Sequence, residues 1–287
     1  MNKLLSILAV LALFTVGVYA QEDDLNEIAR YSVGDGGEIT LISGDADELH
    51  EDLWILMVVL LPTDYVEQYI LEYAVFDSED TLAYVSEFEE DRWEFAISVN
   101  EDAERALTVI HEFGHIVALN NTQYETYPTI IEDMEAPLSD EEYSDGLEVD
   151  IAACTTIAFE DGCVIEDSYL ELFTEEFWTE EAVEQIVYME LDDSAAYFFD
   201  ENPDAFVTEY AATNPIEDFA ESFSYFVGLS DEDYPPEDSD WEMDQKILWF
   251  EQFPELVEMR ESIRGNAEVN DITFEFGEDS NYFYDGD

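Results

Sequence analysis

The segment EDAERALTVIHEFGHIVALN, residues 101–120, decides how the rest of the chain is read. Apolar side chains occupy nearly every side of its helical projection, so the pattern predicts a helix buried all round. Acids crowd its first turn, where the helix dipole favours negative charge. Inside this apolar helix stand His111, Glu112 and His115, and buried polar groups cost free energy unless something partners them. Residues four apart share a helix face about 6 Å apart, so both imidazoles can reach one ion. The spacing is HExxH, and zinc is the expected occupant. Glu112 is turned about 100° from His111, beside the ion and not on it, where it can take a proton from a water held there. That is the general base of metal-dependent peptide hydrolysis. The competing reading is a pair of helix histidines satisfied by buried carboxylates.

A catalytic zinc site has three protein ligands and one open position. His50 is the only other histidine; it falls on an earlier helical stretch and reads as a hydrogen-bonded core or surface residue. The metzincin arrangement needs a glycine and a further histidine where this chain has Ala118 and Asn121. A carboxylate must therefore close the site. The segment NPIEDFAESFSYFVGLS, residues 214–230, predicts a second buried helix that starts at Pro215, with Phe219, Ala220, Phe223, Phe226 and Val227 around Glu221. An acid in that setting needs a cation, which favours Glu221 as the third ligand, with Glu217 second. Glu217 and Asp218 fall in the first turn, where a solvated or capping role is the default. Asp218 is also a candidate outer partner that orients a histidine.

HEFGH followed by EDFAESFSYF resembles the gluzincin type of zinc metallopeptidase. The likeness is closest to secreted zinc-binding metallopeptidases of bacteria and, more distantly, to lethal-factor-like toxin proteases. It covers about residues 45–230. The resemblance implies zinc held by His111, His115 and Glu221 with Glu112 as base. It also implies that the strand RWEFAISV, residues 92–99, forms the cleft edge on which a peptide substrate adds. Such enzymes often place a Tyr or His over the developing oxyanion; no histidine remains for that, and Tyr225 and Tyr210 are the open candidates.

Composition sets the setting. The chain has 287 residues with 75 Asp plus Glu against 7 Lys plus Arg, a formal charge of −68. A basic patch for nucleic acid is excluded, as is electrostatic docking on an anionic membrane. At 47% hydrophobic and 14% aromatic the chain still folds. Residues 1–20 read as a signal peptide, with Lys3, an apolar run and a small residue, Ala20, before QEDD. The mature protein is then expected to be secreted, periplasmic or at the cell surface. Cys154 and Cys163 are expected to form a local disulfide. Asn120 heads an NNT sequon, relevant only in a eukaryotic secretory pathway.

The expected fold is α+β: a small antiparallel or mixed sheet packed on a zinc-binding helix bundle. Strands are expected at EITLIS, EYAVF, TLAYVSEF and RWEFAISV, and a helix from Asp45 to Leu61 buries Leu49, Leu53, Leu56 and Leu60. Residues 21–265 form the zincin-like domain, and residues 266–287 an exposed acidic tail. The region 121–213, with the cysteine pair, the aromatic stretch 168–189 and the turn DENPD, builds the far wall of the cleft and decides specificity, and one or two helices follow residue 240. The expected function is secreted zinc metallopeptidase acting on peptides or proteins, with no nucleic-acid or membrane partner. The readings from other classes are an inactive zinc-stabilised surface or binding protein and a cation-sequestering polyanion. The charge further suggests a saline habitat, because salt screens carboxylate repulsion and weakens proton competition for the histidines.

Overall fold

The row of inward side chains Tyr31, Tyr73, Phe95 and Val85 runs across four paired strands and fixes the register of the main sheet. The structure is a computed structural model that describes residues 25–78, 81–89, 91–100, 103–159, 161–178, 194–277 and 280–283. The proposed signal peptide and the end of the aromatic stretch lie outside these residues. The chain is α+β. Strands β1 (Asn26–Val33), β2 (Ile39–Gly44), β3 (Ile70–Asp77), β4 (Ala83–Glu89) and β5 (Arg92–Ser98) lie in the order β2-β1-β3-β5-β4. All pairings are antiparallel except β3 with β5, so the sheet is mixed. β5 is thus interior, and the edge strands are β4 on its side and β2 on the other. This corrects the expectation that RWEFAISV forms the cleft edge. β5 is buried at six of seven positions because it has a neighbour on both sides.

Helices cover one face of the sheet. Helix α1 (Glu48–Leu60) buries His50, Leu53, Trp54, Met57 and Leu60, while Leu49 is exposed. The buried stripe is therefore turned by one residue from the leucine spacing, because Trp54 and Met57 supply the larger apolar surfaces. Helix α2 (Thr63–Tyr69) leads into β3, and α3 (Arg105–Leu119) crosses beneath the sheet with every residue from Val109 to Leu119 buried. A small β6 (Tyr124–Thr126) and β7 (Gly162–Val164) ribbon flanks the pair α4 (Pro128–Glu135) and α5 (Asp140–Ala153). Cys154 and Cys163 are bonded, tying the end of α5 to β7 with their Cα atoms 5.7 Å apart. Helices α6 (Tyr169–Phe177), α7 (Ser194–Glu201), α8 (Pro215–Gly228), α9 (Glu242–Trp249) and α10 (Pro254–Val269) complete the fold. Phe173, Phe219, Phe223, Trp249 and Phe250 pack there as one aromatic cluster. No helix among the described residues is long and apolar enough to cross a membrane.

Two further expectations change. Asn120 is buried and caps α3: its amide donates to the Ile116 and Val117 carbonyls and its oxygen accepts from Thr122. The sequon asparagine is fully used inside the fold. The C-terminal segment is not a loose tail from residue 266. Helix α10 continues to Val269, and Ile272, Phe274, Phe276 and Tyr282 pack on the core. Alternate aromatic residues give this acidic stretch an apolar side.

The scarce cations brace α8. Arg260 donates to the Phe226 and Leu229 carbonyls, and Arg264 to those of Val227, Gly228 and Leu229, satisfying the helix C-terminus. Lys246 on α9 lies 2.7 Å from Asp218 on α8, with both side chains fully buried. Trp178 Nε1 and Ser222 also donate to Asp218. Asp218 therefore braces two helices, which corrects the expectation that it orients a histidine. Lys246→Met is expected to destabilise the protein by about 3–5 kcal/mol in denaturant unfolding, because Asp218 is left buried without its cation. Adding Asp218→Leu should recover most of that loss; an unchanged midpoint in the single variant would show that the pair contributes nothing.

Candidate metal centre

Asn214 starts the metal centre by ending one segment and capping the next. Its side chain accepts from the backbone N–H groups of Ile216 and Glu217, and Pro215 occupies the first helical position of α8. Glu217 is thereby fixed in the first turn, facing α3. The two helices approach closely at Gly114, where an added Cβ would lie 3.1 Å from Ala220 Cα. The glycine inside HEFGH is what permits this spacing.

His111 Nε2, His115 Nε2 and Glu217 Oε2 converge. The nitrogens are 3.1 Å apart, and the carboxylate oxygen lies 3.3 and 3.2 Å from them. All three residues are buried, and Glu217 Oε2 has no hydrogen-bond partner. Three lone-pair donors in a nearly equilateral triangle match one face of a tetrahedral site, whose edges are about 3.3 Å for bonds of about 2.0 Å. The residues present thus fit a divalent metal ion. The electrostatics agree. Burial alone would raise the Glu217 pKa, but the two histidines outweigh it and hold the carboxyl well below the usual range. Burial likewise opposes a charged His111, and Glu217 and Glu221 overcome it, so this pocket stabilises positive charge.

Glu221 is not in the triangle. Its Oε1 lies 2.7 Å from Nδ1 of His111, the nitrogen on the far side of the ring from the converging Nε2. The contact is an ion-pair distance but is not aligned as a directional hydrogen bond. Thr208 Oγ1 holds the other oxygen of Glu221 at 2.7 Å. The structure thus brings Glu217, the second candidate, to the histidines, while Glu221, the favoured one, lies behind His111 as an ion-pair partner. Apolar surroundings pointed to Glu221, but α8 begins beside α3, so its first turn faces the histidines. The spacing of Glu217 and Glu221, four residues apart like His111 and His115, is the sequence signal for a ligand with its supporting acid on one face.

Glu112 sits beside the triangle. Burial raises its pKa, the two histidines lower it, and the Val85 backbone N–H donates to it. Tyr210 covers the other side, its ring 5.8 Å from that of His111. The residue is half exposed, while its hydroxyl end is buried and reaches Glu217; that burial and the nearby acids push its pKa well up. Tyr225 points elsewhere, donating to Ser280 Oγ at 2.7 Å. His50 is a core residue, with Nδ1 3.0 Å from the Tyr31 hydroxyl and its carbonyl accepting from Tyr73.

Titration against a competing chelator separates the two acids. Glu217→Gln should lose the metal under conditions that saturate the parent protein, whereas Glu221→Gln should weaken binding by roughly 10–100-fold; the reverse order would restore Glu221 as ligand. Gly114→Ala should push α8 outward and weaken metal binding, with Ala220→Gly in the same chain recovering part of the loss. Equal affinity in Gly114→Ala would show that the helix spacing is not limiting. No protein-family model, curated protein or solved structure matches this chain.

Proposed function

We propose that the protein is a zinc-dependent metallopeptidase of gluzincin type. The observation that carries this reading is the convergence of His111, His115 and Glu217 with Glu112 on the same buried helix, beside an open strand edge. His111 Nε2, His115 Nε2 and Glu217 Oε2 would hold the ion. A bound zinc would supply Lewis-acid polarisation of the scissile carbonyl.

The chain's own groups account for the remaining chemistry. Leu82 O accepts from Ser98 N, so the even-numbered residues of β4 bond to β5, and Ala83, Val85 and Glu87 direct their backbone groups to the free edge. A peptide can add there as an extended strand. Glu112, held by the Val85 N–H, takes a proton from the attacking water as the C–O bond forms. It passes that proton to the amine nitrogen as the C–N bond breaks. Tyr210 is placed to donate a hydrogen bond to the carbonyl oxygen as negative charge develops. The family resemblance supports zinc on His111 and His115 with Glu112 as base; it implied Glu221 in place of Glu217 and the strand RWEFAISV in place of β4.

Assayed on unstructured casein, the purified protein should show cleavage that a chelator abolishes and zinc restores. Glu112→Gln should keep one equivalent of metal while cleavage falls by roughly 10²–10⁴-fold. Metal binding without chelator-sensitive cleavage in the parent protein would sink the peptidase reading in favour of a metal-stabilised binding protein.

Export and a saline working environment belong to the same proposal. The disulfide is compatible with an oxidising compartment, and the charge of −68 is compatible with salt dependence. Raising salt from about 0.01 to 1 M shortens the Debye length from about 30 to about 3 Å, and the melting temperature should rise accordingly. A flat profile would remove the saline reading.

A further inference from the structure

We propose that the C-terminal strap, residues 280–283, positions the turn that carries Thr208 and Tyr210, with Asn281 as its clamp; what the positioned groups do rests on the peptidase reading. The turn between α7 and the short 3-10 segment Tyr210–Thr213 contains five consecutive carbonyls that accept from remote residues. Asn281 Nδ2 donates to Pro203 and Phe206, and the Asn281 backbone N–H donates to Val207 at 2.8 Å. Met243 N donates to Asp204 at 3.0 Å, and Lys246 Nζ to Ala205 at 2.7 Å. The path of residues 203–207 is therefore imposed from outside, by α9 on one side and the strap on the other.

The next residues are the ones that reach the metal centre. Thr208 Oγ1 donates to Glu221 and accepts from Ala211 N at 3.1 Å. Tyr210 follows, over His111. The strap itself is referred to the ligand helix: Tyr225 of α8 donates to Ser280, and the Tyr282 ring lies 5.8 Å from that of Tyr225. Tyr282 also donates to the Asp233 carbonyl at 3.0 Å. Ser280 and Tyr282 thus meet Tyr225 of α8 while Asn281, between them, grips the turn, so Tyr210 is held at a set distance from the helix that carries Glu217. Lys246 serves both the turn and Asp218, whereas the side chain of Asn281 bonds only to the turn. That difference makes Asn281 a positioning residue whose removal can be read separately from helix packing.

The test uses the full zinc-loaded chain carrying Asn281→Ala, with a chain ending at Gly277 as the second variant. Hydrogen exchange of residues 203–213 should accelerate by roughly tenfold or more, with α3 and α8 unchanged, and zinc affinity should stay within about threefold. On a peptide substrate kcat should fall by roughly 10–100-fold with KM unchanged, and Asn281→Ala added to Tyr210→Phe should cost no more than Tyr210→Phe alone. Unchanged exchange in both variants, exchange that spreads through α8 with loss of zinc, or losses that multiply with Tyr210→Phe would overturn the proposal. If the parent chain cleaves nothing, the peptidase reading falls, and the exchange pattern still decides whether the strap clamps the turn.

Discussion

The contact of Gly114 with Ala220 is the constraint on which the candidate metal centre depends. The histidines come from one helix and the closing carboxylate from another, so the ligand triangle exists only at one helix separation. Edges of 3.1–3.3 Å leave a few tenths of an ångström of tolerance, and a single added Cβ at Gly114 would use it. The axial position of α8 is set as firmly as its distance. Asn214 with Pro215 defines where the helix begins, and Arg260 with Arg264 satisfies its end. Lys246, bonded to Asp218, resists rotation about its axis. Packing fixes the distance, and polar contacts fix register and rotation.

The sheet reaches the same site by a different route. Its inward row ends at Val85, on the strand with a free edge, and the Val85 backbone N–H is directed at Glu112. On the proposed function, the edge strand on which a peptide would add is therefore also the strand that holds Glu112, the proposed base. Strand parity decides this: a register shift of one residue would turn Val85's backbone groups into the sheet and leave the buried Glu112 without that donor. Arg105, which donates to Ser98 and Asn100 carbonyls at the end of β5, ties the start of α3 to the sheet so that the two parts keep their alignment.

The parts of the structure that could be read from residues are those where periodicity and chemistry coincide. α3 and α8 are apolar on most sides and carry their polar groups as exceptions, which made both helices and the HExxH pair legible. The three strands β3, β4 and β5 and the cysteine pair were legible for similar reasons. β1 was not, because Ile28, Arg30 and Ser32 on its outer side hide the inward alternation of Ala29, Tyr31 and Val33. Arg30 is there to serve the acids Glu27, Glu72 and Glu94 on the outer face of the sheet, a role visible only once the strands are paired. Edge and interior strands also look alike when hairpin partners are adjacent in sequence; the crossover that places β5 beside β3 is a tertiary fact. The placement of Glu217 against the histidines in preference to Glu221 has the same origin, since it depends on which turn of α8 lies against α3.

The acidity of the chain takes on a structural meaning once the cations are located. Six of the seven lie among the described residues, and each donates to a backbone carbonyl or pairs with a carboxylate. Four of them, Arg105, Lys246, Arg260 and Arg264, hold the two helices of the metal centre. Such cations are at least partly withdrawn from solvent, so salt screens them less than it screens the exposed carboxylates. Added salt therefore acts unevenly: it relieves repulsion among surface acids while leaving the internal braces largely intact. The proposed salt dependence rests on this arrangement: the screened interactions would be mostly repulsive and the attractive ones sheltered, so net stability would rise with ionic strength.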